Sequence, residues 1–186
     1  MEAPGITRRR KPFLAPIILG FGLAAGAVAL VAAFISYAGS GASVAVIVRH
    51  AEAPGTIADP PLSEAGELRA QNLARMFGES SSVGHVTAIY ATESRPSQQT
   101  AAPVAARLGI PVTTVRAKDV DALIERLRHR YNAGTALVVA QREAIPQIVG
   151  ELSSTEIAES PDSDYGTLYV LSLPRFGKAS VVSLNY

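Results

Sequence analysis

From Ser43 onward, short apolar runs alternate with stretches of helical periodicity. SVAVIV (43–48) is an unbroken apolar run rich in β-branched residues, as a strand buried on both faces requires. PPLSEAG then turns the chain, and Ser63 is placed to cap a helix over 63–77 with Ala70, Leu73, Ala74 and Phe77 on its apolar stripe. VTAIYA (86–91) predicts a second strand, and residues 97–108 a helix with Ala101, Val104, Ala105 and Leu108 on one face. Gly109 stops that helix, and IPVTTV (110–115) predicts a third strand. Val120, Leu123, Ile124, Leu127 and Tyr131 recur at helical spacing over 119–131. TALVVA (135–140) is a fourth strand, and Ile145, Ile148, Val149 and Leu152 mark a last helix. SSTEIAESPDSD (153–164) is polar and reads as a surface loop. TLYVLSL (167–173) and ASVVSL (179–184) form a hairpin pair across PRFGK. Alternating strands and helices predict an α/β fold, a three-layer α/β/α sandwich around a mostly parallel sheet.

The first 42 residues obey a different pattern. Arg8, Arg9, Arg10 and Lys11 precede an apolar stretch over 13–38, and no charged residue falls between Lys11 and Arg49. That is long enough to span a bilayer, which takes about 20 residues. It is longer than the apolar part of a cleaved signal peptide, and it lacks a clean small-residue cleavage site. The expected organisation is a basic cytoplasmic tail (1–12), a transmembrane helix (13–38), a linker (39–43) and an extracytoplasmic domain (44–186). The basic cluster keeps the N-terminus in the cytoplasm, so the domain is expected to be periplasmic, on a bacterial inner membrane. Gly22 and Gly26, followed by Ala29, form a small-residue face on which another membrane helix can pack.

Composition narrows the chemistry. There is no cysteine among the 186 residues, which excludes disulfides, thiolate catalysis and zinc–cysteine sites. Three scattered histidines make no metal cluster, and no cofactor is expected. Net charge is +1, with about −2 from residue 43 onward, so nucleic acid is not an expected partner. In an open α/β sheet, ligands bind beyond the carboxyl ends of the strands. Arg49 and His50 follow the first strand, and Gln141 and Arg142 follow the fourth.

The segments VRHAE, PPLSEAGELRAQNLA, IYATESRPSQQTAAPVAARLGIPV, TALVVAQREAIPQIVGEL and SDYGTLYVLSL occur in that order. Together they resemble the histidine phosphatase (phosphoglycerate mutase-like) superfamily, most of all its small phosphohistidine-phosphatase-like branch, over residues 44–186. The resemblance implies a histidine that attacks a phosphoryl group and becomes phosphohistidine, which water hydrolyses. Two arginines and a second histidine surround the phosphate and neutralise its oxygens. His50 stands at the nucleophile position and Arg49 at that of the first clamp. The second arginine position holds Pro96, with Arg95 adjacent. The second histidine position holds Gln141, a neutral donor, with Arg142 next to it. The late acidic position of relatives is Gly166, after Tyr165. The expected phosphate ligands are therefore Arg49, Arg95, Gln141 and Arg142, with Pro96, Gln141 and Gly166 as degenerate positions.

Two of four pocket residues are thus replaced. The leading expectation is a catalytically inactive, membrane-anchored accessory or scaffold subunit of a larger envelope or energy-transducing membrane complex. One alternative is a weak or specialised phosphatase acting through His50. Another is a module that binds a phosphate-bearing ligand without turnover. Glu52 is expected to brace the loop rather than to donate a proton. His85 is expected at the surface, and His129 on a solvated basic helix face open to an acidic partner or lipid headgroups.

Overall fold

A computed structural model describes Leu30 and residues 42–55, 57–79, 85–130, 134–175 and 177–186. The chain divides into two units, Met1–Gly39 and Ser40–Tyr186. In the first only Leu30 is described, a helical residue with its side chain exposed. The basic tail, the expected span over 13–38 and its packing residues Gly22, Gly26 and Ala29 lie outside the described residues. Among the described residues no helix is long and apolar enough to cross a membrane.

The second unit runs β1 (Ser43–Arg49), α1 (Glu64–Glu79), β2 (Val86–Thr92), α2 (Arg95–Leu108), β3 (Val112–Val115), α3 (Val120–Arg128), β4 (Thr135–Ala140), α4 (Ala144–Ser153), β5 (Thr167–Leu173) and β6 (Ser180–Asn185). The strands form one sheet in the order β3-β2-β4-β1-β5-β6. β1 to β4 are parallel, with Arg49 opposite Ala140 at the carboxyl ends of β1 and β4. β5 runs antiparallel to β1, and the expected hairpin joins it to β6.

Alternation along β1 divides the core into two halves. Ala45 and Ile47 pack toward Leu123, Leu127, Ile148 and Val149 of α3 and α4. Val46 and Val48 pack toward Leu73, Phe77, Ala101 and Val104 of α1 and α2. Successive strand residues face opposite ways, so an unbroken apolar run serves both helical layers at once.

Helix ends follow local chemistry. Ser63 caps α1 by accepting the Gly66 N–H on its hydroxyl at 3.1 Å. α2 begins at Arg95, two residues earlier than its apolar stripe predicts, because Pro96 fits the first turn, where a missing N–H is harmless. Its end at Gly109 is in the left-handed region, φ 67°. The third strand is shorter than expected. The Ile110 N–H closes the end of α2 on the Ala105 carbonyl, Pro111 has no N–H to offer a ladder, and pairing starts at Val112. The next helix is preceded by a 3₁₀ turn, Ala117–Asp119, and stops at Arg128 with the His129 N–H on the Glu125 carbonyl. Tyr131 lies outside the described residues.

Two helical glycines separate close approach from simple flexibility. At Gly66 a Cβ would fall onto the backbone carbonyl oxygen of Glu52, whereas at Gly150 it would meet only the Thr155 carbonyl at 3.8 Å. Gly66→Ala is therefore expected to destabilise the domain, by about 1–3 kcal/mol as overpacking does. Gly150→Ala should stabilise it by about 0.5–1 kcal/mol, the ordinary helical gain. Urea unfolding of both variants checks the opposite signs.

Candidate functional site

The carboxyl ends of β1 and β4 open into a cavity of about 330 Å³ lined by Arg49, His50, Pro96, Gln141 and Tyr165. The loop after β1 closes one side with Ala53, Pro54, Gly55, Ile57, Asp59 and Pro60, and Ser94 adds a hydroxyl. A larger cavity of about 420 Å³ lies between α1 and α2, but Glu67 is its sole titratable lining residue among the described residues. The chemistry therefore belongs to the smaller one.

His50 leaves β1 with its backbone N–H on the Ala140 carbonyl at 3.0 Å. Its Nδ1 lies 2.8 Å from the Ala51 carbonyl. A carbonyl only accepts, so Nδ1 carries the proton in the neutral ring and the lone pair is on Nε2. Burial pushes the His50 pKa below the ordinary 6.5; the bond to Ala51 works against this, and nearby Arg49 adds to it. The ring is thus kept neutral and in the tautomer a nucleophile needs.

Arg49 is only 9 % exposed. Its Nη1 donates to the carbonyls of Pro161, Asp162 and Asp164 at 3.2, 2.9 and 3.1 Å. Its guanidinium carbon sits 3.9 Å from the centroid of the Tyr165 ring. Its Nε is buried and has no partner among the described residues. A buried donor without an acceptor is costly, and an anion oxygen is the acceptor that a guanidinium fits best.

The motif residues fasten this loop. Thr100 accepts the Ala51 N–H at 2.9 Å and donates to the Pro96 carbonyl at 2.7 Å. Gln99 accepts the Leu62 N–H at 2.8 Å. Ser63 donates its N–H to the Glu52 carbonyl at 2.8 Å. The Glu52 carboxylate takes Arg69 bidentately, at 2.6 and 2.9 Å to one oxygen and 2.9 Å to the other. That pairing holds its pKa below the usual carboxylate range, so Glu52 braces the loop and carries no proton to give.

The expected site residues divide into two groups. Arg49, His50, Pro96 and Gln141 line one cavity. Arg95 and Arg142 are not among its lining residues. Arg95, at the first turn of α2, is exposed, and its backbone N–H donates to Asp59 Oδ1 at 2.6 Å. Arg142 is ion-paired to Glu143, Glu159 and Asp162 at 3.4, 3.2 and 2.6 Å. Gly166 lies outside the cavity, its N–H on Asp164 Oδ1 at 3.1 Å. His85 is exposed, and His129 lies 3.5 Å from Glu125 on the surface of α3, where Arg128 pairs with Glu125 and Glu151. Sequence reasoning did not find Tyr165 as the platform under Arg49, nor the carbonyls of 161–164. Their backbone role leaves no side-chain signature in a polar loop. No group of three His, Asp or Glu residues that could hold a metal occurs among the described residues.

A depressed histidine pKa has a definite sign in stability. Above pH 6.5 the His50 ring is neutral in both folded and unfolded chains and adds no pH dependence. Below pH 6.5 the unfolded chain binds the proton first, so stability falls as pH drops toward the lower folded value. The loss from pH 7 to pH 5 should be smaller in His50→Gln than in the wild type, and the His50 ring protons should titrate below 6.5 by NMR.

Both the fold and part of the sequence are similar to those of known proteins. The pattern of the Histidine phosphatase superfamily (branch 1) matches residues 45–119. No curated protein sequence matches the chain. The fold is similar to that of the protein histidine phosphatase SixA solved with tungstate, at 17 % identity and a TM-score of 0.62, covering 76 % of this chain and 96 % of that one. It is also similar to a mycobacterial glucosyl-3-phosphoglycerate phosphatase (15 %, TM-score 0.55, covering 77 % and 99 %). A phosphoglycerate mutase from Plasmodium falciparum shares it too (14 %, TM-score 0.56, covering 76 % and 89 %). The domain thus has the fold of the histidine phosphatase superfamily, and over residues 45–119 it carries that superfamily's sequence pattern.

Proposed function

We propose that the domain is a weak or specialised phosphatase that works through a phosphohistidine intermediate at His50. One observation carries the reading: a neutral His50 with its lone pair on Nε2 shares a cavity with a buried Arg49 whose Nε lacks a partner. In the reaction, Nε2 attacks phosphorus, the bond from phosphorus to the leaving group breaks, and the phosphoryl group passes to the ring. Water then cleaves the phosphorus–nitrogen bond and restores His50. Arg49 stabilises charge on the transferring oxygens, and the Gln141 amide can add a neutral hydrogen bond.

The rest of the lining limits the rate and the substrate. Pro96 offers no donor where relatives place a cation, and each missing donor of this kind lowers the rate by about 10²–10³, with less than additive losses inside one site. Among the described residues Asp59 is the sole carboxylate lining the cavity, and it accepts the first N–H of α2. Leaving groups that need little protonation by the protein therefore suit the site best. The imidazole of a phosphohistidine is one such group.

A second reading rests on a different observation: among the described residues Arg49 is the sole cation lining the cavity. In that reading the domain is an inactive accessory subunit, or it binds a phosphate-bearing ligand without turnover. The apolar stretch over 13–38 would tether it to a bacterial inner membrane with the domain in the periplasm, beside other membrane subunits packed on Gly22, Gly26 and Ala29. A tagged full-length chain that is always monomeric in mild detergent would count against the subunit reading.

The deciding measurement is phosphate release by the full-length chain from phosphohistidine and from a generic phosphomonoester, beside His50→Ala. Turnover that disappears in His50→Ala is the expected result; a folded wild type with none overturns the phosphatase reading. Restoring the missing groups together, Pro96→Arg with Gln141→His, should raise turnover by about 10²-fold or more. Steady-state kinetics on the double variant check that gain.

A further inference from the structure

The two arginines at the strand ends have been given partners of opposite kinds. Arg49 ends β1, and its partners are neutral: three backbone carbonyls and the face of Tyr165. No carboxylate forms an ion pair with it among the described residues, so its positive charge stays available to an incoming anion. Arg142, two residues beyond the neighbouring strand β4, is surrounded by the carboxylates of Glu143, Glu159 and Asp162. Its charge is already neutralised, which makes it a poor phosphate ligand.

Both arginines grip the same segment, 159–165, between α4 and β5. Asp162 joins the two grips. Its carbonyl accepts the shortest of the three bonds from Arg49, at 2.9 Å. Its carboxylate makes the shortest ion pair of Arg142, at 2.6 Å. Glu159 takes the Arg142 Nε at 3.2 Å and fixes the start of the segment. The carbonyls can hold the Arg49 Nη1 edge only while this segment stays over the carboxyl ends of β1 and β4.

We propose that Arg142 is a positioning residue: with Glu159 and Asp162 it latches the 159–165 strap, whose carbonyls and Tyr165 orient the Arg49 guanidinium toward a phosphoryl group. This rests on reading Arg49 as the phosphate clamp. It assigns Arg142, Glu159 and Asp162 a role in anion affinity without contact with the anion.

The sign of one effect tests it. Sodium tungstate binding to the full-length chain in detergent is measured calorimetrically for the wild type, the double variant Glu159→Gln with Asp162→Asn, Arg142→Gln, Arg142→Lys and Arg49→Gln. Amide hydrogen exchange over 159–165 is followed in parallel. The latch predicts that the double variant and Arg142→Gln each bind tungstate about 3- to 10-fold more weakly, as loss of two or three exposed ion pairs implies. It also predicts faster exchange confined to the strap and partial recovery of both readouts in Arg142→Lys. Tighter binding in the double variant would mean that a freed Arg142 takes the anion itself, and the latch would be overturned. Unchanged affinity with unchanged exchange would overturn it as well. If neither the wild type nor Arg49→Gln binds tungstate, the phosphate-clamp reading falls, and the exchange rates still decide whether the latch exists.

Discussion

A guanidinium buried at the end of a central strand must be solvated by the protein itself, and much of this site follows from how that is done for Arg49. β1 is covered by helices on both faces, so its last residue has little access to water. Burying an unpaired cation is expensive. A carboxylate partner would relieve that cost but would also cancel the charge. Three backbone carbonyls and an aromatic face are a different solution. They satisfy one edge of the guanidinium and leave its charge and its Nε unmatched.

His50 depends on the same economy of fixed dipoles. Its tautomer is set by one carbonyl, and the position of that carbonyl is set by fastenings from elsewhere in the chain. Thr100 holds the Ala51 N–H, Ser63 holds the Glu52 carbonyl, and Arg69 holds the Glu52 side chain. Gly66 lets α1 approach the Glu52 backbone more closely than any side chain would permit. The family-like segments PPLSEAG and QQTA thus support the nucleophile without lining the reaction path, apart from Pro60 at the rim.

Much of the fold was legible in the chain, because apolar periodicity and helix punctuation act locally. The unbroken run 43–48, the Ser63 cap, the Gly109 stop and the hairpin across PRFGK all report on a few residues each. The discrepancies have local causes too: Pro111 delays the third strand, and a 3₁₀ turn precedes α3. The site was half legible. Arg49 and His50 could be placed at the end of the first strand, and Pro96 and Gln141 beside them, because strand ends and motif spacing fix backbone positions.

What the sequence by itself determined was which residues stand at the carboxyl ends of β1 and β4. Tertiary structure alone decided what the arginines do. Arg95 and Arg142 are each one residue from a pocket position, and sequence proximity made both candidate ligands. In the fold, α2 begins at Arg95 and presents it to solvent, while the carboxylates of Glu159 and Asp162 draw Arg142 onto the 159–165 strap. The direction of a long charged side chain is set by the nearest opposite charge and by the local helix phase, and both depend on residues brought together only by folding.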